Sequence, residues 1–147
     1  MLNHIISRIH FDQSPERVLD YLRTPKFWPD WHPQSRRNEG GPIGPMQVRD
    51  SVIEYIARGD QEVAVQWTVV DRWESKMYRI DGRIIMNGKV QQEVVAGIHY
   101  TLFPTKDGGT DFAREIELTL PIEDPDGFKE VQDKSLKNVK KILEKSK

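Results

Sequence analysis

The chain has 147 residues, 37% hydrophobic and 31% charged, and its 22 basic and 23 acidic side chains leave a net charge of -1. That size is one domain, expected over residues 1–147, and the balance argues against a phosphate-dominated nucleic-acid binder. No apolar run approaches the ~18 residues of a transmembrane helix, no signal-peptide pattern opens the chain, and the absence of cysteine excludes disulfides and thiolate chemistry. A cytoplasmic protein with no integral membrane association is expected.

The first segment, Asn3–Phe11, alternates. Ile5, Ser7, Ile9 and Phe11 share one face, and His4, Arg8 and His10 lie on the other with Ile6. Period two reads as a strand with one buried side. Ser14 and Pro15 then signal a helix start, because serine caps free N–H groups and proline suits the first turn. Val18, Leu19 and Leu22 form its apolar stripe. The helix should stop near Thr24-Pro25, since proline disfavours helix in the residue before it. The proline-rich segment Lys26–Pro33 allows one or two further turns. Residues 38–45 read as a loop punctuated by glycine and proline.

Consecutive strands follow: Val48–Ala57, a run through Val63, Val65, Trp67 and Val69, then Lys76–Met86. Asn87-Gly88 marks a hairpin, because both residues tolerate the positive φ of a type I′ turn. Val90–Phe103 places Val94, Ala96, Ile98, Tyr100 and Leu102 on one face. Phe112, Ile116, Leu118 and Leu120 form the inner row of the last strand. From about Asp124 to Lys145 the period becomes helical, with Phe128, Val131, Ser135, Val139, Ile142 and Leu143 on one face. Acidic residues crowd the start of this helix and lysines its end, which complements the helix dipole.

Strands joined by short turns make an antiparallel sheet, and their one-sided apolar rows need one cover. The long C-terminal helix is that cover. A strongly twisted sheet curves away faster than one helix fills it, so a concavity is expected between them. The modest apolar share agrees with one solvated sheet face and a partly hollow interior.

The chain resembles the START-like or SRPBCC superfamily, in particular its polyketide-cyclase/dehydrase-like branch. The resemblance runs over nearly the whole chain. It is carried by the opening strand into Ser14-Pro15-Glu16-Arg17-Val18, by Leu22, and by the segment from Trp28 to Trp31-His32-Pro33. Further matches are the loop at Gly44, Thr68-Val69-Val70-Asp71, and Leu136-Lys137-Asn138-Val139-Lys140. It implies an α+β helix-grip fold: a seven-stranded antiparallel sheet around a long C-terminal helix, two short helices after the first strand, and a cavity. It also implies a small hydrophobic partner such as a lipid, polyketide or quinone. A cyclase or dehydratase acting on such a molecule is the alternative, and a protein-interaction module a second alternative.

Seven residues are candidates for ligand binding. Trp28 and Trp31, three apart on a short helix, suit either a pocket mouth or core packing. Trp67, Tyr78, Tyr100 and Phe112 lie on inner rows, where a hollow grip turns some toward the cavity; a buried phenol needs a hydrogen-bond partner. Arg114 interrupts an apolar row. A buried unpaired guanidinium is costly, so a structural salt bridge is the leading expectation, with ligand binding and a bulge toward solvent as alternatives. Asp50 and Glu54 are expected to be exposed carboxylates, with a pairing to Arg114 or a general-base role as the other options. No catalytic motif is present: there is no GxSxG, GxGxxG or Walker A pattern and no HExxH. His4 and His10 stand ~20 Å apart along one strand, too far to share a metal. His32 is read as a surface loop residue near a possible mouth. Neither metal nor cofactor is expected.

Overall fold

In the computed structural model, which describes residues 3–146, strand β1 (Asn3–Phe11) leads into helix α1 (Pro15–Leu22). The Ser14 side chain accepts the Arg17 N–H at the start of α1. A 3₁₀ turn (Pro25–Phe27) and the short helix α2 (Trp28–Trp31) follow. Then come β2 (Ser35–Glu39), β3 (Ser51–Arg58), β4 (Gln61–Trp73), β5 (Met77–Met86), β6 (Lys89–Val90), β7 (Ala96–Pro104) and β8 (Thr110–Leu118). Helix α3 (Pro125–Lys145) ends the fold, with the Asp124 side chain accepting the Gly127 N–H. The sheet runs β1-β8-β7-β5-β4-β3-β2, every neighbouring pair antiparallel, with β6 attached to β5. This is the α+β helix grip that the sequence implies.

Four boundaries differ from the sequence reading, the last strand among them: it ends at Leu118, which leaves Leu120 exposed outside its inner row. Ser35–Glu39 is a strand, paired with β3, although its polar residues show no apolar alternation. It is an edge strand, so pairing on one side is enough to hold it. The next strand begins at Ser51 instead of Val48, because Arg49 takes a φ of 79° and breaks the extended run. Asn87 and Gly88 turn with φ of 52° and 76°, as expected, but the returning strand divides. Lys89–Val90 pairs with the end of β5, and β7 starts only at Ala96.

Cross-strand register stacks the inner rows. Tyr78 faces Tyr100, which faces Arg114, which faces Ser7 of β1. One step along, Ile80, Ile98 and Ile116 form an apolar row, and the next brings Trp67 beside Gly82 and Ala96. The C-terminal half of α3 closes on this surface through Leu136, Val139 and Leu143, all buried. Gln13 Nε2 donates to the Leu143 carbonyl at 3.1 Å, and Asn138 Nδ2 to the Trp31 carbonyl at 3.0 Å. These two bonds tie the helix to the β1–α1 turn and to α2.

Gly82 is required by the sheet's inner surface. The Trp67 ring packs against it, and a Cβ there would stand 2.7 Å from Trp67 Cζ3. Gly82→Ala is therefore expected to destabilise by about 1–3 kcal/mol through overpacking, and to shift tryptophan emission as the indole moves. Urea unfolding followed by fluorescence measures both; a variant with parental midpoint and spectrum would show that the ring has free room.

Candidate functional site

The N-terminal half of α3 stands off the sheet. Between them lies a cavity of about 590 Å³, walled by Val65, Ile80, Ile84, Ile98 and Ile116 from the strands and by Phe128 and Val131 from the helix. Apolar walls with a few convergent polar groups are the usual form of a small-molecule site.

Of the seven candidate residues, Trp28, Trp31, Trp67, Tyr100 and Arg114 line this cavity. Trp28 is anchored, its Nε1 donating to the Leu22 carbonyl at 2.8 Å. Trp31 is buried, and its Nε1 has no hydrogen-bond partner among the described residues. Trp67 Nε1 donates to Glu54 Oε1 at 2.9 Å. Tyr78 and Phe112 are set behind the wall. The Tyr78 ring stacks on Tyr100 at 5.7 Å, and Phe112 packs edge-on against Phe11 at 5.7 Å. Tyr78 shares a cross-strand row with Tyr100 and Arg114 but does not line the cavity, and Phe112 lies one row further along, paired with Leu102.

Arg114 is buried at 5% exposure, and the expected salt bridge is not made among the described residues. Its Nη1 donates instead to Gln132 Oε1 on α3, and its guanidinium carbon stands 5.6 Å from the centre of the Trp31 ring. Gln132 is the residue that sequence reading missed. A glutamine on the helix's inward face was the available signal, but neighbouring hydrophobic positions obscured it.

Two further expectations are corrected. Glu54 is buried at 7% exposure, because β3 turns Val52 and Glu54 inward together. Burial pushes its carboxyl above 4.5, against the Trp67 hydrogen bond and the Arg114 charge, which favour ionisation. Asp50 lies ahead of β3, its Oδ2 accepting the Gln47 N–H at 2.8 Å, and does not line the cavity. His32 lines it rather than standing on a free loop. Burial, reinforced by the nearby Arg114 charge, pushes the imidazole down to about 3, with Gln132 opposing. Its Nδ1 accepts the Gln34 N–H, so the ring is neutral and oriented. The Tyr100 phenol is pushed up by burial, with Arg114 opposing.

His32 and Glu54 act on stability with opposite signs. Folded His32 titrates below its unfolded value of 6.5, so its contribution is complete above 6.5 and falls as the pH drops toward about 3. Folded Glu54 titrates above 4.5, so its contribution is complete below 4.5 and falls as the pH rises. Between 4.5 and 6.5 the two slopes oppose each other. Glu54→Gln keeps an acceptor for Trp67 but removes one titration. Relative to the parent, its stability should rise more steeply with pH in that window, by up to about 1.4 kcal/mol per pH unit. Urea midpoints across the window measure this, and parallel curves would show that Glu54 titrates normally.

The solved structures similar to this chain share its whole length at low identity. A protein from Mesorhizobium loti aligns over 99% of both chains at 15% identity and TM-score 0.72. The major latex-like protein 151 from Panax ginseng aligns over 95% of both at 12% identity and TM-score 0.66. A protein of the dynemicin biosynthetic locus matches 98% of this chain with 48% of its own, at 12% identity and TM-score 0.67. No curated protein matches the sequence. The family described as polyketide cyclase / dehydrase and lipid transport matches residues 4–144. That span holds every strand but for the first residue of β1, nearly all of α3, and with them the complete cavity wall: the chain belongs to the polyketide cyclase / dehydrase and lipid transport family.

Proposed function

We propose that the protein binds a small hydrophobic molecule, of the lipid, polyketide or quinone kind, in the cavity between the sheet and α3, and does so in the cytoplasm. The observation that carries this reading is the cavity itself: about 590 Å³ of largely apolar space, edged by Trp28, Trp31 and Trp67. Indole faces favour flat apolar partners. The family description and the dynemicin-locus neighbour support a ligand of this class. The net charge of -1 supports no nucleic-acid role.

A second reading, a cyclase or dehydratase acting on the bound molecule, is favoured by Glu54. A buried carboxyl with a raised pKa is a form suited to proton transfer near neutral pH. Tyr100 and Arg114 would then polarise a substrate carbonyl.

Native mass spectrometry of the purified protein, with organic extraction, is expected to reveal a copurified apolar molecule. Val131→Trp fills the cavity from the α3 side. It should weaken binding of that molecule by about tenfold or more, with the far-UV circular dichroism and the melting profile retained. Undiminished affinity in a folded Val131→Trp protein would place binding elsewhere. Chemical change of the bound molecule over time, lost in Glu54→Gln, would favour the enzyme reading.

A further inference from the structure

The cavity wall carries one buried guanidinium whose protein partners are neutral. Of its five N–H donors, the Arg114 guanidinium places Nη1 on Gln132, and its Nε is without a partner among the described residues. No carboxylate forms an ion pair with it among the described residues. The groups around it are neutral or engaged. From the α2 end come the Trp31 ring and the uncharged His32. Helix α3 presents Gln132, while Asp133 beside it is held by Lys129 Nζ at 3.1 Å. On β7 Tyr100 stands directly opposite, and on β1 Ser7 does. Glu54, on β3, lines the same cavity and feels the Arg114 charge, but it makes no ion pair with Arg114 among the described residues: its carboxyl accepts the Trp67 Nε1–H, and burial holds it toward the neutral form. Charged groups at the rim, Arg58, Glu123 and Asp124, are exposed to water, and two of the three are acidic, so an anion is not collected there.

A lone buried charge is costly unless something compensates it. We infer that the ligand supplies the compensation: the cavity takes an apolar, ring-bearing molecule with one carboxylate or equally acidic oxygen, and Arg114 is its counter-charge. This rests on the cavity reading above and narrows it. A guanidinium matches a carboxylate in a two-pronged geometry. One such cation suits a monoanion; a phosphate would bring a second charge into apolar walls with nothing to meet it. Gln132 is a positioning residue here, holding the guanidinium from the helix side.

Naphthalene-2-carboxylate and naphthalene-2-carboxamide have nearly the same shape and differ in charge. Titration calorimetry with the intact protein is expected to show the carboxylate binding about tenfold or more tightly than the amide. Arg114→Met should erase that preference while leaving amide binding in place. The wild-type preference can be read even if Arg114→Met does not fold, and Gln132→Leu, which leaves the charge but loosens it, should narrow the preference without abolishing it. Equal affinity for the two probes in the wild-type protein overturns the inference and leaves the cavity reading standing. A preference that persists in folded Arg114→Met overturns it as well. Binding of neither probe overturns it together with the cavity reading.

Discussion

The cavity depends on how α3 is held. Its C-terminal half is fixed by Leu136, Val139 and Leu143 and by the side-chain bonds from Gln13 and Asn138. Its N-terminal half faces a sheet that has already curved away, so Phe128 and Val131 look onto space instead of onto a packed layer, and Gln132 reaches the sheet through its bond with Arg114. A straight helix cannot follow a twisted sheet along its full length. The hollow follows from that mismatch, and the tight half of the interface stabilises the loose half.

The polar groups set into the hollow lean on one another. Arg114 lowers the basicity of His32 and favours ionisation of Glu54, yet burial dominates at both. The result is a cavity whose histidine is neutral, whose carboxyl resists ionisation, and whose arginine keeps its charge. Aromatic packing positions these groups: Trp67 rests on Gly82 and binds Glu54, while Trp31 flanks Arg114. The tryptophans thus serve both as apolar wall and as scaffold for the charges.

The shared fold and the site carry different information. Identities of 12–16% over whole chains show that this backbone arrangement is reached by many sequences. Such a fold hosts unrelated functions, so the specific chemistry has to be sought in side chains such as Arg114, Gln132 and Glu54.

Much of the architecture was legible in the sequence, because strand and helix periods are local. The alternation in Asn3–Phe11, the Asn87-Gly88 turn and the long C-terminal stripe each declare an element without help from distant residues. Edge strand β2 did not declare itself, since its polar residues become a strand only when β3 offers a ladder. The site was half legible. Trp28, Trp31, Trp67, Tyr100 and Arg114 could be nominated as unusual or inward-facing residues. Which of the inner aromatics meet the hollow was decided by the assembled sheet and helix, which leave Tyr78 and Phe112 behind the wall. The burial of Glu54, the neutral state of His32 and the pairing of Arg114 with Gln132 were decided by tertiary structure alone. Each depends on the meeting of segments tens of residues apart or on opposite layers, and no local period records which polar side chain will find which partner across a cavity.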